Sequence, residues 1–473
     1  MSLTKKIFAN SLWILLGKIV LSGLGAIITF YFARYLQPEA FGNFSLVIAF
    51  VSFFLTFAGS GIEKVVQRDF SKQGKIIPSY LKTSISLRFI SAVITTIFCI
   101  ILSLFFNYSK GAHLAIFLAS STIIIISLNK MVDQIYSFKL EQKIPIIAEV
   151  FAKIIYIILS LIVILYFKKG FIWLIVAWIG FYLSKLIITA VFAKGKWKEY
   201  KEGKFDKSLA RYIIKESWPF LLISSLSIIY IRIDVVLLSL FRSAAEIGFY
   251  SAAYRLSETP NLVAAALTTS MFPIFAARIE DRKALGLSIR YLFILSAPLM
   301  VGTILISNKI INLIYGSSYL PAAPVLSLLI IATFFVFIKL PSINYLYATG
   351  KQKNQMLMVG IGAAFNIIMN LIFIPKYGII GSAAVTAATE FLVFIIAIYQ
   401  TKDIIRGLGW IKLFIKTTIV TAIMAAIIIF LNKLEVNVII TIITAIIIYF
   451  GLTYIITFDK LDKEIVKKIR NKN

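Results

Sequence analysis

The chain has 473 residues, of which 60% are hydrophobic and 15% are charged, whereas soluble domains carry about 45–50% apolar and about 25% charged residues. Its 49 Lys and Arg residues outnumber its 21 Asp and Glu residues, which gives a net charge of +28. This composition excludes an ordinary soluble enzyme, and the scattering of the charges between apolar segments excludes a nucleic-acid-binding domain. The single cysteine, Cys99, excludes an internal disulfide and a cysteine metal cluster.

Apolar segments follow one another along the chain, most of them close to the roughly 20 residues that cross a bilayer as a helix. We identify fourteen: 10–33, 44–60, 83–106, 113–129, 146–167, 171–193, 218–241, 247–274, 291–315, 324–348, 355–374, 379–399, 411–431 and 437–457. The sequence therefore predicts an all-α polytopic membrane protein with about 14 transmembrane helices.

Lys and Arg are unevenly distributed between the two alternating sets of segments that connect these spans. The set that includes both termini is several times richer in them, and it contains the basic segment KGKWKEYKEGKFDKSLARYIIKES between spans six and seven. Cytoplasmic loops of membrane proteins carry such an excess. We therefore expect a multi-pass protein of the bacterial cytoplasmic (inner) membrane with both termini in the cytoplasm.

Two pairs of similar stretches recur at nearly the same distance along the chain. EAFGNFSL and AEIGFYSA align Gly42 with Gly248, 206 residues apart, and a second pair aligns Lys143 with Lys351, 208 residues apart. Each displacement equals six spans, so the two copies have the same orientation in the membrane. The repeat predicts two six-helix lobes related by a pseudo-two-fold axis along the membrane normal, with a binding site between them.

This repeat also predicts the domain layout, in which the second lobe is followed by an appendage. The predicted domains are a first six-helix lobe at 1–193, a basic cytoplasmic linker at 194–217, a second lobe at 218–400, and two extra helices with a basic tail at 401–473.

Basic residues within the spans are candidates for lining a central cavity. An ionised side chain at the centre of a spanning helix costs roughly 2.5–3.5 kcal/mol on insertion scales, so it should face protein or water. Four of them lie on stripes of polar or small residues at helical spacing, which mark faces turned away from lipid. These four predicted substrate-binding residues are Lys18, Arg88, Arg232 and Arg255.

Other basic and amide residues in the spans receive a structural interpretation. Lys185, Lys309 and Lys339 lie nearer helix ends or on weaker polar stripes, so we expect their ammonium groups to snorkel to the membrane surface. Asn366 and Asn370 stand one helical turn apart in span eleven and are expected to make contacts between helices.

Acidic residues in the spans are candidates for coupling transport to an ion or a proton. The four candidates are Glu149, Asp234, Glu258 and Glu390. Glu149 precedes Lys153 by four residues and Glu258 follows Arg255 by three, so each acid could instead neutralise that neighbour. Asp234 lies about 200° around the helix from Arg232 and needs another partner. Glu390 has no cation nearby in sequence, and a hydrogen bond to another helix is an equal alternative.

A cationic cavity favours an anionic cargo such as a polyprenyl pyrophosphate head. Guanidinium groups bind phosphate oxygens in bidentate geometry, and a low dielectric strengthens the attraction. Charged head groups do not cross hydrocarbon unaided, so a protein that offers compensating positive charge would lower the cost of moving them.

Several stretches resemble a known family of transporters. They are ARYLQPEAFGNFSL, IRIDVVLLSLFRSAAEIGFYSAAYRLSE, LIYGSSYLPAAPVLSLL and IPKYGIIGSAAVTAATE. Together they resemble the polysaccharide transporter family, the flippases of O-antigen and related lipid-linked oligosaccharides, within the multidrug/oligosaccharidyl-lipid/polysaccharide superfamily. The resemblance covers nearly the whole chain. It implies two six-helix lobes, inward- and outward-open states, and movement of undecaprenyl-pyrophosphate-linked glycan to the outer leaflet.

Related branches of this superfamily supply alternative cargoes. The peptidoglycan-precursor branch has a functional arginine in a context similar to AAYRLSETP, which places Arg255 at that position. Its arginine in span one has no clear counterpart, because this sequence offers Lys18, and this departure favours a glycan repeat unit. A multidrug or organic cation antiporter is the other alternative, and its cavity would be expected to carry acids.

We expect a transporter rather than an enzyme, with no catalytic residues, cofactor or metal. A membrane glycosyltransferase, polymerase or ligase would need a substantial external loop, whereas the external loops here have about eleven residues at most. The expected partners are the lipid-linked glycan, membrane lipids, and polysaccharide polymerase and chain-length proteins, but no nucleic acid. The chain itself is expected to be a monomer.

Overall fold

The computed structural model describes residues 3–73, 77–138, 141–193, 203–277, 282–405 and 410–458. Regular structure in these residues is helical throughout, which confirms the all-α prediction. Within these described ranges, eleven helices are long and apolar enough to cross a membrane. Large apolar side chains on many of these helices point outward, such as Phe105, Ile411 and Ile455. Such surfaces suit a hydrocarbon solvent, and the chain is a multi-pass membrane protein.

The helices follow one another with short connections. Those of the first half are α1 (Leu3–Leu55), α2 (Ser60–Gln73), α3 (Pro78–Ser103), α4 (Lys110–Phe138), α5 (Lys143–Leu165), α6 (Phe171–Ala193) and α7 (Lys207–Phe241). Those of the second half are α8 (Ala244–Glu258), α9 (Asn261–Ala277), α10 (Arg282–Tyr315), α11 (Ala323–Ala348), α12 (Gln352–Ile405), α13 (Trp410–Lys433) and α14 (Val438–Leu452). A 3₁₀ helix, Ser317–Ala322, joins α10 to α11.

These helices do not correspond one to one to the fourteen predicted spans. Helix α1 contains spans one and two across a kink at Gln37, where φ is 62° and Pro38 follows. Helix α12 contains spans eleven and twelve across Gly378, where φ is 58°. Span eight is divided into α8 and α9 by a turn at Pro260, because proline cannot donate the backbone hydrogen bond that would continue the helix. Helix α2 is an additional amphipathic helix after span two.

The chain forms two compact units, Met1–Ser251 and Ala252–Asn473. In the first unit α7 packs against α1, α2 and α3. The division therefore falls after α7, whereas the sequence predicts a boundary at the linker 194–217. Residues 194–202 of that linker lie outside the described residues, and the predicted layout of lobes stays a prediction.

The repeated glycines of the sequence meet in the first unit. A Cβ atom at Gly42 would lie 1.7 Å from the carbonyl oxygen of Ala244, and one at Gly248 would lie 2.0 Å from the carbonyl oxygen of Pro38. Pro38 and Ala244 are themselves 206 residues apart, so each copy contacts the other through equivalent residues. A two-fold axis produces this reciprocal pattern. Only glycine lets the two helix backbones approach so closely.

The two C-terminal helices α13 and α14 pack against α10 in the second unit. Val420, Met424 and Tyr449 belong to the buried cluster between them, and the Tyr449 hydroxyl donates to the Ile294 carbonyl at 2.7 Å. An apolar cavity of about 330 Å³ lies among the same three helices. The two C-terminal helices are thus attached to the rest of the second unit through α10, which contains span nine.

Candidate functional site

Arg88 is buried in α3 and paired with a carboxylate. Its side chain is 3% exposed, and its Nη1 and Nη2 atoms both lie 3.4 Å from Oε2 of Glu63. Gly59 makes room for it, since a Cβ there would lie 2.7 Å from Cγ of Arg88. This placement differs from the prediction that Arg88 lines an open cavity, because α2 brings an acid against it that periodicity within α3 cannot reveal.

Glu63 also lies 3.6 Å from Nζ of Lys130, whose side chain is exposed. Burial by itself would raise the pKa of Glu63, but the positive charges of Lys130 and Arg88 outweigh burial and lower that pKa. Glu63 is therefore ionised at neutral pH, and this Glu63 group contains two cations and one anion.

Lys185 of α6 joins three helices of the first unit. Its Nζ lies 2.7 Å from Oε2 of Glu149 in α5 and 3.0 Å from Oδ2 of Asp133 in α4. The ammonium group is buried between carboxylates, so the expectation that Lys185 snorkels is wrong. Glu149 takes its partner from another helix instead of from Lys153, which lies over the ring of Tyr156 at 4.9 Å. The Asp133–Lys185–Glu149 triad is thus a second ionic group.

A third ionic group lies in the second unit. Lys339 of α11 forms an ion pair with Glu390 of α12, and both residues are buried. The snorkelling expectation is therefore wrong for Lys339 as well. Glu390 receives its cation from span ten, which its own sequence neighbourhood could not indicate. Lys309 is half-buried and donates to the carbonyl of Val436 at 3.4 Å.

Arg232 and Asp234 take different positions on α7. Arg232 is half-buried, whereas Asp234 is buried and accepts a hydrogen bond of 2.8 Å from the hydroxyl of Tyr250. Tyr250 lies within the repeated stretch of α8, so this bond ties the repeat to span seven. The hydroxyl of Tyr250 is thus the separate partner that the sequence analysis expects for Asp234.

Arg255 forms the ion pair with Glu258 that their spacing allows. Its Nη1 lies 3.8 Å from Oε2 of Glu258, and each side chain is about one-third exposed, at 32% and 33%. The long distance and the exposure leave the guanidinium group of Arg255 accessible to a ligand. Lys18 of α1 is exposed. Of the four predicted cavity cations, Arg88 is therefore buried, while Lys18, Arg232 and Arg255 retain some exposure.

Asn366 and Asn370 bond to each other within α12, where Nδ2 of Asn370 donates to Oδ1 of Asn366 at 3.0 Å. Both are buried. The sequence prediction assigned them contacts between helices, and the structure adds this bond along one helix.

Sequence reasoning missed Glu63, Lys130 and Asp133, because it counted them as residues of connecting segments. In the structure α2 continues beyond span two and α4 extends to Phe138, nine residues past the predicted end of span four. Lys130 and Asp133 stand three residues apart and share one face of a helix. That spacing was a signal that could have identified them.

A polar cluster joins α2, α3 and α7. Asp69 accepts hydrogen bonds from Nε of Arg68 at 2.8 Å, from the Tyr80 hydroxyl at 2.6 Å and from the Tyr212 hydroxyl at 3.1 Å. Nη1 of Arg68 also donates to Oε2 of Glu216 at 2.9 Å. Burial would raise the pKa of Asp69, but the hydrogen bonds from Arg68 and Tyr80 outweigh it and lower that pKa.

We expect Asp69→Asn to lower the free energy of unfolding by about 1.5–3 kcal/mol at neutral pH, the range for hydrogen bonds to charged groups. Because the pKa of Asp69 is lowered in the folded state, its contribution is full above its unfolded pKa of about 3.9 and is lost as the pH falls through the folded value. Thermal unfolding of the purified protein at neutral and acidic pH measures this. The exposed Glu435→Gln should change little, and equal effects of both substitutions would contradict the prediction.

Among the described residues, no group of three or more His, Cys, Asp or Glu side chains is placed to hold a metal ion. The site geometry consists of ion pairs and half-exposed cations.

Comparison with known proteins decides the family. Residues 7–279 match the family model described as polysaccharide biosynthesis protein, which covers more than half of the chain. The chain belongs to the polysaccharide biosynthesis protein family. The family resemblance predicted from sequence is thereby confirmed.

Relatives of this family member come from bacteria and archaea. The succinoglycan biosynthesis transport protein ExoT of Rhizobium meliloti is 25% identical over 69% of this chain and 66% of its own length. An uncharacterized membrane protein of Methanocaldococcus jannaschii, MJ1068, is 28% identical over 38% of this chain and 37% of its own length. The probable flippase AglR of Haloferax volcanii is 27% identical over 38% of this chain and 39% of its own length. The chain spans less than two thirds of the length of each of these relatives.

Solved structures share the architecture of this family member. The lipid II flippase MurJ in an inward closed conformation has a TM-score of 0.75 at 19% identity, covering 95% of this chain and 98% of that one. An inward-facing multidrug resistance transporter of the MATE family has a TM-score of 0.63 at 15% identity, covering 82% of this chain and 95% of that one. At these identities the likeness shows the fold alone.

Proposed function

We propose that the protein is a flippase that moves a polyprenyl-pyrophosphate-linked oligosaccharide from the inner to the outer leaflet of the bacterial cytoplasmic membrane. It works by alternating access through the cationic cavity that the sequence predicts, and it serves the biosynthesis of a surface polysaccharide. It carries cargo and makes or breaks no covalent bond. Both termini lie in the cytoplasm.

The observation that carries this proposal is the match of residues 7–279 to the polysaccharide biosynthesis family. The names of relatives support it. They include a succinoglycan biosynthesis transport protein and, in Escherichia coli, the lipopolysaccharide biosynthesis protein WzxC, which is 25% identical over 217 residues. Two relatives in Haloferax volcanii are named as probable flippases. An isoprenoid-linked glycan is a substrate that fits all of these activities.

Half-exposed cations support an anionic head group as the part of the cargo that is bound. Arg255 has the most suitable geometry, because its planar guanidinium group can give two hydrogen bonds to a pyrophosphate while its present partner is 3.8 Å away. Lys18 and Arg232 supply further positive charge. Arg88 can contribute only if Glu63 releases it, so we assign it a secondary role. Expected partners remain polysaccharide polymerase and chain-length proteins, with the chain acting as a monomer.

Deletion of the gene in its native host tests the cargo. We expect surface polysaccharide to be lost and a lipid-linked oligosaccharide to accumulate on the cytoplasmic leaflet, where mass spectrometry identifies it. Accumulation of the peptidoglycan lipid precursor instead would change the assigned cargo. Normal leaflet distribution of every lipid-linked glycan, together with sensitivity to organic cations, would replace the proposal by a drug antiporter.

Arg255→Ala should reduce export of the glycan at least about tenfold, since one charged hydrogen-bond pair to phosphate contributes about 1.5–3 kcal/mol. Arg255→Lys should retain partial export, because an ammonium keeps the charge but loses the two-pronged geometry. Surface glycan in the complemented deletion strain measures both variants, with protein level in the membrane as the reference. Arg211→Ala, which removes an exposed arginine near the start of α7, is the control. Full export by Arg255→Ala would contradict this assignment.

A further inference from the structure

The two units carry ion pairs of opposite polarity at equivalent positions of the repeat. Asp133 and Lys339 are 206 residues apart, and Lys185 and Glu390 are 205 apart, close to the offset of 206 that aligns the repeated glycines. In the first unit the acid lies on α4, beyond the predicted end of span four, and the base lies on α6. In the second unit the base lies on span ten and the acid on span twelve. The same two helices of each copy are therefore joined, with the charges exchanged.

The ion pair in the second unit joins one cation to one anion. Lys339 and Glu390 supply one positive and one negative charge, and they are only 5% and 8% exposed. This buried pair connects α11 to α12. It serves as an internal reference for the first unit.

The triad of the first unit has one carboxylate more than it has ammonium groups. Lys185 faces both Asp133 and Glu149, so the triad has two negative charges and one positive charge. The second carboxylate oxygen of Asp133, Oδ1, is buried and has no hydrogen-bond partner among the residues that the structure describes. The side chains of Asp133 and Glu149 are 23% and 35% exposed, but a surplus carboxylate with a buried oxygen atom is disfavoured unless it becomes protonated or gains a cation. The ammonium of Lys185 already occupies the position between the acids, which favours a proton over a metal cation.

The groups around the triad have a surplus of positive charge. They are Glu63 on α2, Arg88 on α3, Lys130 on α4, Lys153 on α5 and Tyr182 on α6. Asp133 lies within electrostatic range of both Arg88 and Glu63. The Glu63 group has a surplus positive charge, and the triad has a surplus negative charge. Lys130 and Asp133 belong to one turn of α4, so the two groups balance each other across that helix.

We propose that the Asp133–Lys185–Glu149 triad is a proton-operated switch, in which Asp133 takes up one proton from water on Oδ1. The proton converts the carboxylate to a carboxylic acid, while Lys185 stays protonated and keeps its bond to Glu149. The three charged groups of the triad and the three of the Glu63 group then have a net positive charge, with the excess on Arg88 and Lys130. Since Arg88 is a predicted cargo residue, the link from this switch to transport rests on the proposed function. The Lys339–Glu390 pair fastens the equivalent helices in both protonation states.

Infrared difference spectroscopy of the full protein in lipid vesicles tests the switch without any transport. Titration from mildly alkaline to mildly acidic buffer should produce the C=O stretch of one buried carboxylic acid. Asp133→Asn should lose this band, since the amide keeps the shape and the acceptor oxygen but cannot titrate. The control variant Lys339→Met with Glu390→Gln removes the neutral pair as a whole and should keep the band. Thermal unfolding identifies any variant that does not fold, and Glu149→Gln, which should shift the midpoint of the titration, is a second probe.

Absence of the band from the unsubstituted protein, or its persistence in folded Asp133→Asn, would overturn the proposal. A flipping assay then adds the pH dependence of transport, which should flatten in Asp133→Asn. A titrating band in a protein that moves no lipid-linked glycan would leave the switch intact and refute the proposed function instead.

Discussion

Gly42→Ala is expected to destabilise the protein, although alanine is the better helix former by about 0.8–1.0 kcal/mol. The added Cβ would lie 1.7 Å from the carbonyl oxygen of Ala244 and 2.9 Å from the backbone nitrogen of Gly248. Both neighbours are backbone atoms and cannot rotate away, so the two helices have to separate. Forced overpacking of this kind typically lowers the free energy of unfolding by about 1–3 kcal/mol. Loss of the contact between the two repeats would add a cost of its own.

Gly23→Ala is the matched control, because Gly23 lies in the same helix α1 and a Cβ there meets nothing within 4 Å. It should keep or raise the unfolding temperature of the purified protein, whereas Gly42→Ala lowers it. Gly248→Ala should behave like Gly42→Ala, and the double substitution should cost less than the two single losses together, since both disrupt one contact. Equal unfolding temperatures for the variants at positions 23 and 42 would show that the helices do not cross at the glycines.

Lys185→Met should be the most damaging single change among the ionic groups of the first unit. It leaves the carboxylates of Asp133 and Glu149 next to each other without the ammonium that both contact. Breaking a fully buried pair in this way costs about 3–5 kcal/mol, and the 23% and 35% exposure of the two carboxylates makes the expected cost smaller. The loss should shrink in acidic buffer, because protonation removes the repulsion. Unfolding temperature and the yield of folded protein in detergent measure the effect.

Two further variants separate charge from packing. The triple substitution Lys185→Met, Asp133→Asn and Glu149→Gln removes all three charges and should recover most of the stability, since no uncompensated carboxylate remains. Lys309→Met removes a lysine that makes only a long bond of 3.4 Å to the carbonyl of Val436 and should change little. A triple variant as unstable as Lys185→Met would mean that side-chain packing, and not charge, holds these helices together.

The sequence could not predict which residues pair with the buried charges. Helical spacing shows which residues share a face of one helix, so it identified the Arg255–Glu258 pair. Lys185 and Glu390 take their partners from other helices, and Arg88 is neutralised by an acid of α2, a helix that the apolar pattern does not predict. Ion pairs between helices depend on which faces pack together, and that depends on the whole bundle.

The sequence by itself determined the helical class, the number of spans, the family and the internal repeat, because each depends on local composition or on order along the chain. Segment length against bilayer thickness decides the spans, and similarity at a constant offset decides the repeat. Only the tertiary structure decided why the repeat preserves glycine, since Gly42 and Gly248 are in contact although 206 residues separate them. It alone also distinguished the paired charges from the accessible ones. The physical reason is that burial and partner choice arise from packing between helices, where a side chain's neighbours are unrelated to its position in the sequence.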